Sequence, residues 1–190
     1  MGLLDTLLGR TKPVPPNLDA LFALPSAAIT LQAATDYVPT GTGSVCFRAA
    51  EGRAFSDIEK DVKDLLSMGE AKSSVEITAD SYGFTWLVCT HAADDIEGLV
   101  TDLHAVNSSL EAGGFGPMLL CTILSFRDAS GNRLGLVYLY KRGTFYPFAP
   151  QAGERRNNAT EMQVRGVLTN DLKIEPELGR WFPVWGAPGL

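Results

Sequence analysis

The sequence has little of what catalytic and nucleic-acid-binding proteins usually depend on. It contains two histidines, and its formal net charge at pH 7 is −6. A general nucleic-acid-binding protein needs a basic face that neutralises phosphates. Here the basic residues are scattered along the chain and are outnumbered by acidic ones. The charge balance therefore argues against nucleic acid as a partner.

Cysteine is scarce, and long apolar runs are absent. Cys46, Cys89 and Cys121 lie far apart, each inside an apolar stretch. An odd number of cysteines without CxxC spacing predicts buried thiols in a reducing cytoplasm, and neither a disulfide framework nor a zinc site. No run approaches the roughly 20 apolar residues that span a bilayer, and no signal-peptide pattern opens the chain. We therefore expect a cytoplasmic protein with no metal and no cofactor.

Catalytic motifs are missing as well. Neither HExxH nor GxSxG occurs. The GTGS stretch at 41–44 lacks the Gly-Lys-Ser/Thr that contacts phosphate, so it is predicted to be a turn. His91 and His104 are predicted to have surface or capping roles. Asp102 and His104 stand two residues apart, which places them on different sides of a helix.

Hydrophobic periodicity predicts the order helix, strand, helix, strand, strand, helix, strand, strand, helix. The longest helix opens at Asp94-Asp95 and ends at Gly113-Gly114. The clearest hairpin joins MLLCTILSFR to RLGLVYLYK through DASGN. A further helix is predicted at 55–68, where Ser56 and Glu59 form a capping box. The longest helix carries one apolar stripe, made of Ile96, Leu99, Val100, Leu103, Val106 and Leu110.

Short turns within strand pairs favour an antiparallel sheet with helices packed on a face, which is an α+β fold. We expect about five strands, an order similar to that of type III secretion chaperones, from which the helix at 55–68 departs. Three parts are expected along the chain. Residues 1–16 form an apolar segment and a proline-rich linker, 17–172 a single domain, and 173–190 an aromatic, proline-containing tail.

Both ends of the chain are apolar and need a surface to pack against. Leu3, Leu4, Leu7 and Leu8 share one helical face, but a helix under roughly 12 residues is marginal alone in water. Trp181, Phe182 and Trp185 would each bury about 150–250 Å² if covered. We take these seven side chains as candidate partner-binding residues. Packing on the chain's own domain, on a second subunit or on a membrane surface are the alternatives left open.

Four stretches of the sequence carry a family resemblance. They are MGLLDTLLGRTKPVPPNLDALFALPSAA, GLVTDLHAVNSSLEAGGFGP, LVYLYKRGTFYPFAP and LGRWFPVWGAPGL. Together they resemble PspA-associated protein B, the PspAB family of actinobacteria. The resemblance implies an accessory protein of the phage-shock envelope-stress response, cytoplasmic or peripheral at the inner face of the membrane. It implies PspA or an HtpX-like membrane protease as partner, and it supplies no catalytic residues.

These observations lead to a main hypothesis and two rivals. The main hypothesis is a non-enzymatic adaptor that binds a stress-response protein near the inner membrane. The first rival is a small-ligand or stress-signal sensor with a pocket between the sheet and the long helix. Its motivation is an aromatic cluster of Phe84, Trp86, Tyr138, Tyr140, Phe145 and Tyr146. The second rival is an enzyme, which would require His91 or His104 to meet carboxylates in a cleft.

Overall fold

The computed structural model describes residues 16–48, 60 and 74–190. Within these residues one sheet has six strands, and all of its neighbouring strands are antiparallel. The strands are β1 (Val38–Arg48), β2 (Ser74–Ala79), β3 (Phe84–Thr90), β4 (Leu119–Arg127), β5 (Arg133–Leu139) and β6 (Thr144–Phe148). Their spatial order is β2-β3-β1-β4-β5-β6, so β1 and β4 lie at the centre.

Helices cover one face of this sheet, which we call the inner face. In residues 16–48 and 74–190 they are α1 (Leu24–Ala34), α2 (Ile96–Ala112) and α3 (Asn158–Leu168). A 3-10 turn at Leu18–Ala23 precedes α1. Helix α2 begins where the Asp95 side chain accepts a hydrogen bond from the Gly98 amide at 3.0 Å, which satisfies a free donor of the first turn. The predicted apolar stripe of α2 packs into the inner core, which confirms it.

The fold class predicted from the sequence is confirmed as α+β, with six strands in the sheet instead of five. The additional strand is β6, which the sequence marks poorly because it contains Pro147. Proline removes one ladder donor and is tolerated at a sheet edge, where β6 lies. Two short strands follow it, β7 (Pro150–Gln151) and β8 (Arg155–Arg156). The helix predicted at 55–68 falls outside the described residues.

The predicted turn at 41–44 is wrong, because these residues belong to β1. The register between β1 and β4 shifts between Pro39 and Gly43, where β1 has more residues than the facing part of β4. Gly41 has φ +79°, and a Cβ there would collide with the carbonyl oxygen of His91. Glycine therefore permits a close approach of two backbones inside a long strand, and it does not mark the end of one.

Beyond Leu172, which still packs in the inner core, the chain passes to the opposite, outer face of the sheet. Ile174 forms a parallel bridge with Phe145 of β6. A 3-10 turn at Leu178–Arg180 follows, and the remaining residues then cross the outer face. Trp181 and Ala187 are buried there, in a second apolar cluster with Ile123 and Tyr146. The sheet is thus covered by helices on one side and by the C-terminal tail on the other.

Candidate functional site

The C-terminal tail is held on the sheet by specific hydrogen bonds. The indole Nε1–H of Trp181 donates to the carbonyl oxygen of Glu175 at 3.0 Å. The Tyr146 hydroxyl donates to the carbonyl oxygen of Phe182 at 2.7 Å. The rings of Trp181 and Tyr146 are stacked, with centroids 5.9 Å apart. Because these donors and acceptors are paired within the chain, the position of the tail is well specified.

Arg156 of β8 joins the tail to α3. Its Nε–H donates to Glu161 Oε1 at 2.9 Å, and its Nη1 donates to the carbonyl oxygen of Trp181. The guanidinium carbon lies 5.1 Å from the centre of the Phe148 ring, a cation–π distance. Glu161 is buried, so its charge needs this partner. One arginine therefore links a helix, the outer face and the tail.

Glu175 fixes the point where the tail begins. Its carboxylate is fully buried and accepts hydrogen bonds from Arg142 Nε at 2.9 Å and from Thr144 Oγ1 at 2.7 Å. Burial would raise the pKa of Glu175, but these hydrogen bonds and the Arg142 charge hold that pKa below its usual value. The carboxylate is therefore ionised at neutral pH and connects the β5–β6 turn to the tail.

The tail and the outer face enclose an apolar groove of about 680 Å³. Its floor is formed by outer-face side chains of the strands, including Cys46, Trp86, Cys121 and Tyr146. Its wall is formed by tail residues, including Phe182, Val184 and Trp185. Phe182 is 60% exposed, which is unusual for a large apolar side chain beside an apolar cavity.

Cations line the end of the groove at which β1 finishes and β5 turns into β6. Arg48 and Lys141 line it without an ion pair to any other described residue. Arg142 and Arg180 also line it, and both are paired with carboxylates of the tail. Asp80 accepts a hydrogen bond from the Trp86 indole at 2.9 Å and so orients that ring. The groove thus combines an apolar interior with a charged rim, at which Arg48 and Lys141 are the cations without a carboxylate partner among the described residues.

Two of the three cysteines face each other on the groove floor. Cys46 of β1 and Cys121 of β4 are direct cross-strand partners, and both are free thiols. The hydrogen bond with Cys121, together with burial, raises the pKa of the Cys46 thiol. Burial and the charge of Asp102 raise the pKa of Cys89, in the inner core, to about 12. Such thiols are poor nucleophiles and behave as small apolar side chains.

The seven candidate partner-binding residues differ in where they lie. Trp181 is 4% exposed and fills the outer-face cluster, so its ring surface is covered within the chain. Phe182 and the half-buried Trp185 line the groove. The remaining four candidates, Leu3, Leu4, Leu7 and Leu8, lie outside the described residues.

The aromatic cluster of the sensor hypothesis is divided between the two faces of the sheet. Phe84, Trp86 and Tyr146 lie on the outer face. Tyr138, Tyr140 and Phe145 belong to the inner core, in one apolar cluster with α2. The sensor hypothesis required a pocket between the sheet and the long helix. The described groove lies instead on the outer face of the sheet. Side-chain alternation along β3, β5 and β6 was the sequence signal for this division.

The environment of His91 in the structure differs from the one that the sequence predicted. It is 8% exposed, so the surface alternative of its predicted surface or capping role is wrong. Its Nδ1 lies 2.8 Å from Asp95 Oδ2 and its Nε2 lies 2.7 Å from Asp102 Oδ2. Asp95 and Asp102 are seven residues apart, two helical turns, and so project from the same side of α2. The sequence spacing of Asp95 and Asp102 could have indicated that they share one side of the helix. Their contact with His91 could not be predicted without knowing that β3 ends beside α2.

The hydrogen bonds of His91 indicate a structural role for this residue and not that of a catalytic base. Burial alone would lower the pKa of His91, but hydrogen bonds and charges from Asp95 and Asp102 raise it. Both ring nitrogens are occupied by carboxylates, so neither is open to a substrate proton. His104 lies elsewhere, 3.3 Å from Asp19 and beside the Phe22 ring. Within the described residues no group of three metal-ligating side chains is placed to hold an ion.

Together these features define an α+β protein with one antiparallel sheet and an open apolar groove on its outer face. A family model described as PspA associated protein B matches residues 1–189, so the chain belongs to that family. This confirms the resemblance seen in the sequence, and the family name indicates association with PspA, which is consistent with an accessory role. No curated protein and no solved structure shows significant similarity, so the likeness to secretion chaperones stays without support. Across the described ranges, no helix has the length and apolar character to cross a bilayer.

Proposed function

We propose that the protein is a non-enzymatic adaptor of a PspA-type envelope-stress response, and that it binds a partner protein near the inner membrane through the outer-face groove. The observation that carries this proposal is the exposed Phe182 ring beside an apolar groove of about 680 Å³. PspA is the first partner to test, because the family is named for association with it. An HtpX-like membrane protease is the other partner that the resemblance implies.

The composition of the groove favours a protein partner. Residues that dominate binding energy at protein interfaces are mainly Trp, Tyr and Arg, near the centre of a patch from which water is excluded. The groove presents Trp185 and Phe182 on its wall and arginines at its end. The wall is held by Arg156 and Tyr146, so little ordering entropy is lost when a partner docks. Arg48 and Lys141 at its rim suit a partner segment that carries acidic residues beside apolar ones.

The proposal of a non-enzymatic role has support from the ionisable groups. His91 has both nitrogens engaged by carboxylates, and Glu175 is held ionised by Arg142 and Thr144. The thiols of Cys46 and Cys89 have raised pKa values and so are poorly activated. The perturbed pKa values of these groups are thus explained by burial and by structural pairing.

The test compares two exposed apolar residues of the same chain. Phe182 lines the groove, whereas Leu178, which is 52% exposed, is not among its lining residues. Binding of the purified full-length protein to the PspA encoded in the same genome is measured by calorimetry. Phe182→Asp should weaken binding at least tenfold, or about 1.4 kcal/mol, and Leu178→Asp should leave it near the wild-type value. Equal affinities for all three proteins would refute a groove-mediated interaction.

A second candidate function is the binding of a small apolar ligand in the same groove. The observation that favours it is the volume, which falls within the roughly 300–1,000 Å³ typical of ligand pockets. Native mass spectrometry of protein purified from its own host tests this candidate. A bound small molecule that is lost on Trp185→Ala substitution would support it, and apoprotein alone in both samples would count against it.

A further inference from the structure

We infer that the outer-face groove binds a single-chain anionic amphiphile, such as a fatty acid anion, with its headgroup at Arg48 and Lys141 and its acyl chain along the apolar interior. The inference deepens the second candidate function and rests on it, because both place a small ligand in this groove. It adds the chemical class of that ligand and the direction in which the ligand lies.

The first observation is a pair of cations at one end of the groove. Arg48 is the last residue of β1, and Lys141 lies in the turn that joins β5 to β6. Both side chains are exposed and line the groove. Within residues 16–48, 60 and 74–190 neither side chain has an ion pair, whereas the other two lining arginines are paired with carboxylates of the tail. An anionic headgroup at this end would therefore gain charge-assisted hydrogen bonds from two cations.

Asp80, the carboxylate among the lining residues, is hydrogen-bonded to its own hairpin. Its Oδ1 accepts from the backbone amide of Tyr82 at 2.8 Å and from the backbone amide of Phe84 at 2.9 Å. Its Oδ2 accepts from the Trp86 indole at 2.9 Å. Both oxygens are thus satisfied within the turn between β2 and β3, and the two exposed cations remain open to an anion from outside the chain.

The second observation is that the groove becomes aromatic and apolar away from these cations. Trp185 lines the groove and packs edge-on against the Phe148 ring, with centroids 4.9 Å apart. Phe148 lies four residues along β6 from Thr144, beside the β5–β6 turn, a distance of about 13 Å. The groove thus has a cationic end and an apolar end, as a ligand with one charged head and one apolar chain requires. An acyl chain on this path would also cover Phe182, which is 60% exposed on the wall.

Calorimetry of the full-length protein with laurate, used below its micellar concentration, tests the inference. Dodecyldimethylamine oxide has a chain of the same length and no net charge, so it separates recognition of the chain from recognition of the head. The groove variant is Arg48→Gln/Lys141→Gln. The control variant, Arg133→Gln/Lys173→Gln, removes the same charge from exposed positions that do not line the groove.

Headgroup recognition predicts that the groove variant binds laurate at least about tenfold more weakly than wild type, because two charged donors are lost. The control variant should bind laurate as wild type does, and the amine oxide should bind all three proteins alike. Chain recognition predicts that decanoate binds wild type more weakly than laurate by up to about fifteenfold, since each buried methylene contributes up to about fourfold.

Equal laurate binding by the two double variants would overturn the inference. Equal binding of laurate and amine oxide by wild type would overturn it too, while leaving the second candidate function in place. Binding of phosphatidylglycerol vesicles without binding of free laurate would also overturn it, because the two cations would then serve a membrane surface. No binding of any amphiphile would overturn the inference alone, because native mass spectrometry tests the second candidate function without a chosen probe. PspA is absent throughout, so the adaptor proposal is tested separately.

Discussion

Replacement of Trp181 by alanine tests whether the C-terminal tail is an integral layer of the fold. The side chain is 4% exposed, stacked on Tyr146 and hydrogen-bonded to the carbonyl oxygen of Glu175. Removing about 150–250 Å² of buried apolar surface costs about 4–6 kcal/mol at 25 cal/mol per Å², an upper bound. Truncations of buried tryptophan typically cost about 3–5 kcal/mol. We expect a loss in that range.

The neighbouring residue supplies a matched control for this prediction. Phe182 is 60% exposed, so Phe182→Ala should change the free energy of unfolding by less than about 0.5 kcal/mol. Urea denaturation followed by circular dichroism gives both values, and hydrogen exchange in residues 181–190 shows whether only the tail detaches. Equal stabilities of the two variants, with unchanged exchange in the tail, would refute the assignment of Trp181 as the residue that fixes the tail.

Three further predictions concern the core, a histidine and the thiols. Leu103→Ala should cost about 2–5 kcal/mol in thermal melts because Leu103 is fully buried, whereas Thr101→Ala on the exposed side should be near neutral. The pKa of His91 is raised in the folded protein. The contribution of His91 to the free energy of unfolding is therefore complete at pH values below its unfolded-state pKa, near 6.5. This contribution is lost as the pH rises through the folded-state pKa. The stability difference between wild type and His91→Gln should therefore narrow from pH 5.5 to pH 9; a constant difference would contradict this. Cys46 and Cys89 should react with disulfide reagents at pH 8 at least tenfold more slowly than in denaturant, since their pKa values are raised.

The elements that were predictable from the sequence are those whose pattern is local. The stripe of α2 repeats at helical spacing and is capped by Asp95, so both its position and its buried face could be inferred. The hairpin of β4 and β5 has alternating strands around a turn in which Asp128 accepts backbone hydrogen bonds. Local preference and tertiary packing agree in these segments.

The features that sequence reasoning missed depend on contacts between distant segments. The stretch around Gly41 has a turn-like composition, but it lies at a register shift within β1, where His91 comes close to the Gly41 backbone. His91 meets Asp95 and Asp102 only because β3 ends beside α2. The groove is a space between the strands and the tail, and no single segment encodes such a space. Apolar tail residues indicated that a surface was needed, but they did not show which side chains would remain exposed.

Photo-crosslinking at position 182 tests the central claim, that the groove is where a partner protein binds, most directly. A photoreactive phenylalanine analogue replaces Phe182 in one protein and Leu178 in another, and each is irradiated with purified PspA of the same genome. The two positions are similarly exposed, but only position 182 lines the groove. Binding of PspA in the groove predicts a crosslinked complex from position 182 and little from position 178. Equal crosslinking from both positions, or none from position 182, would contradict it.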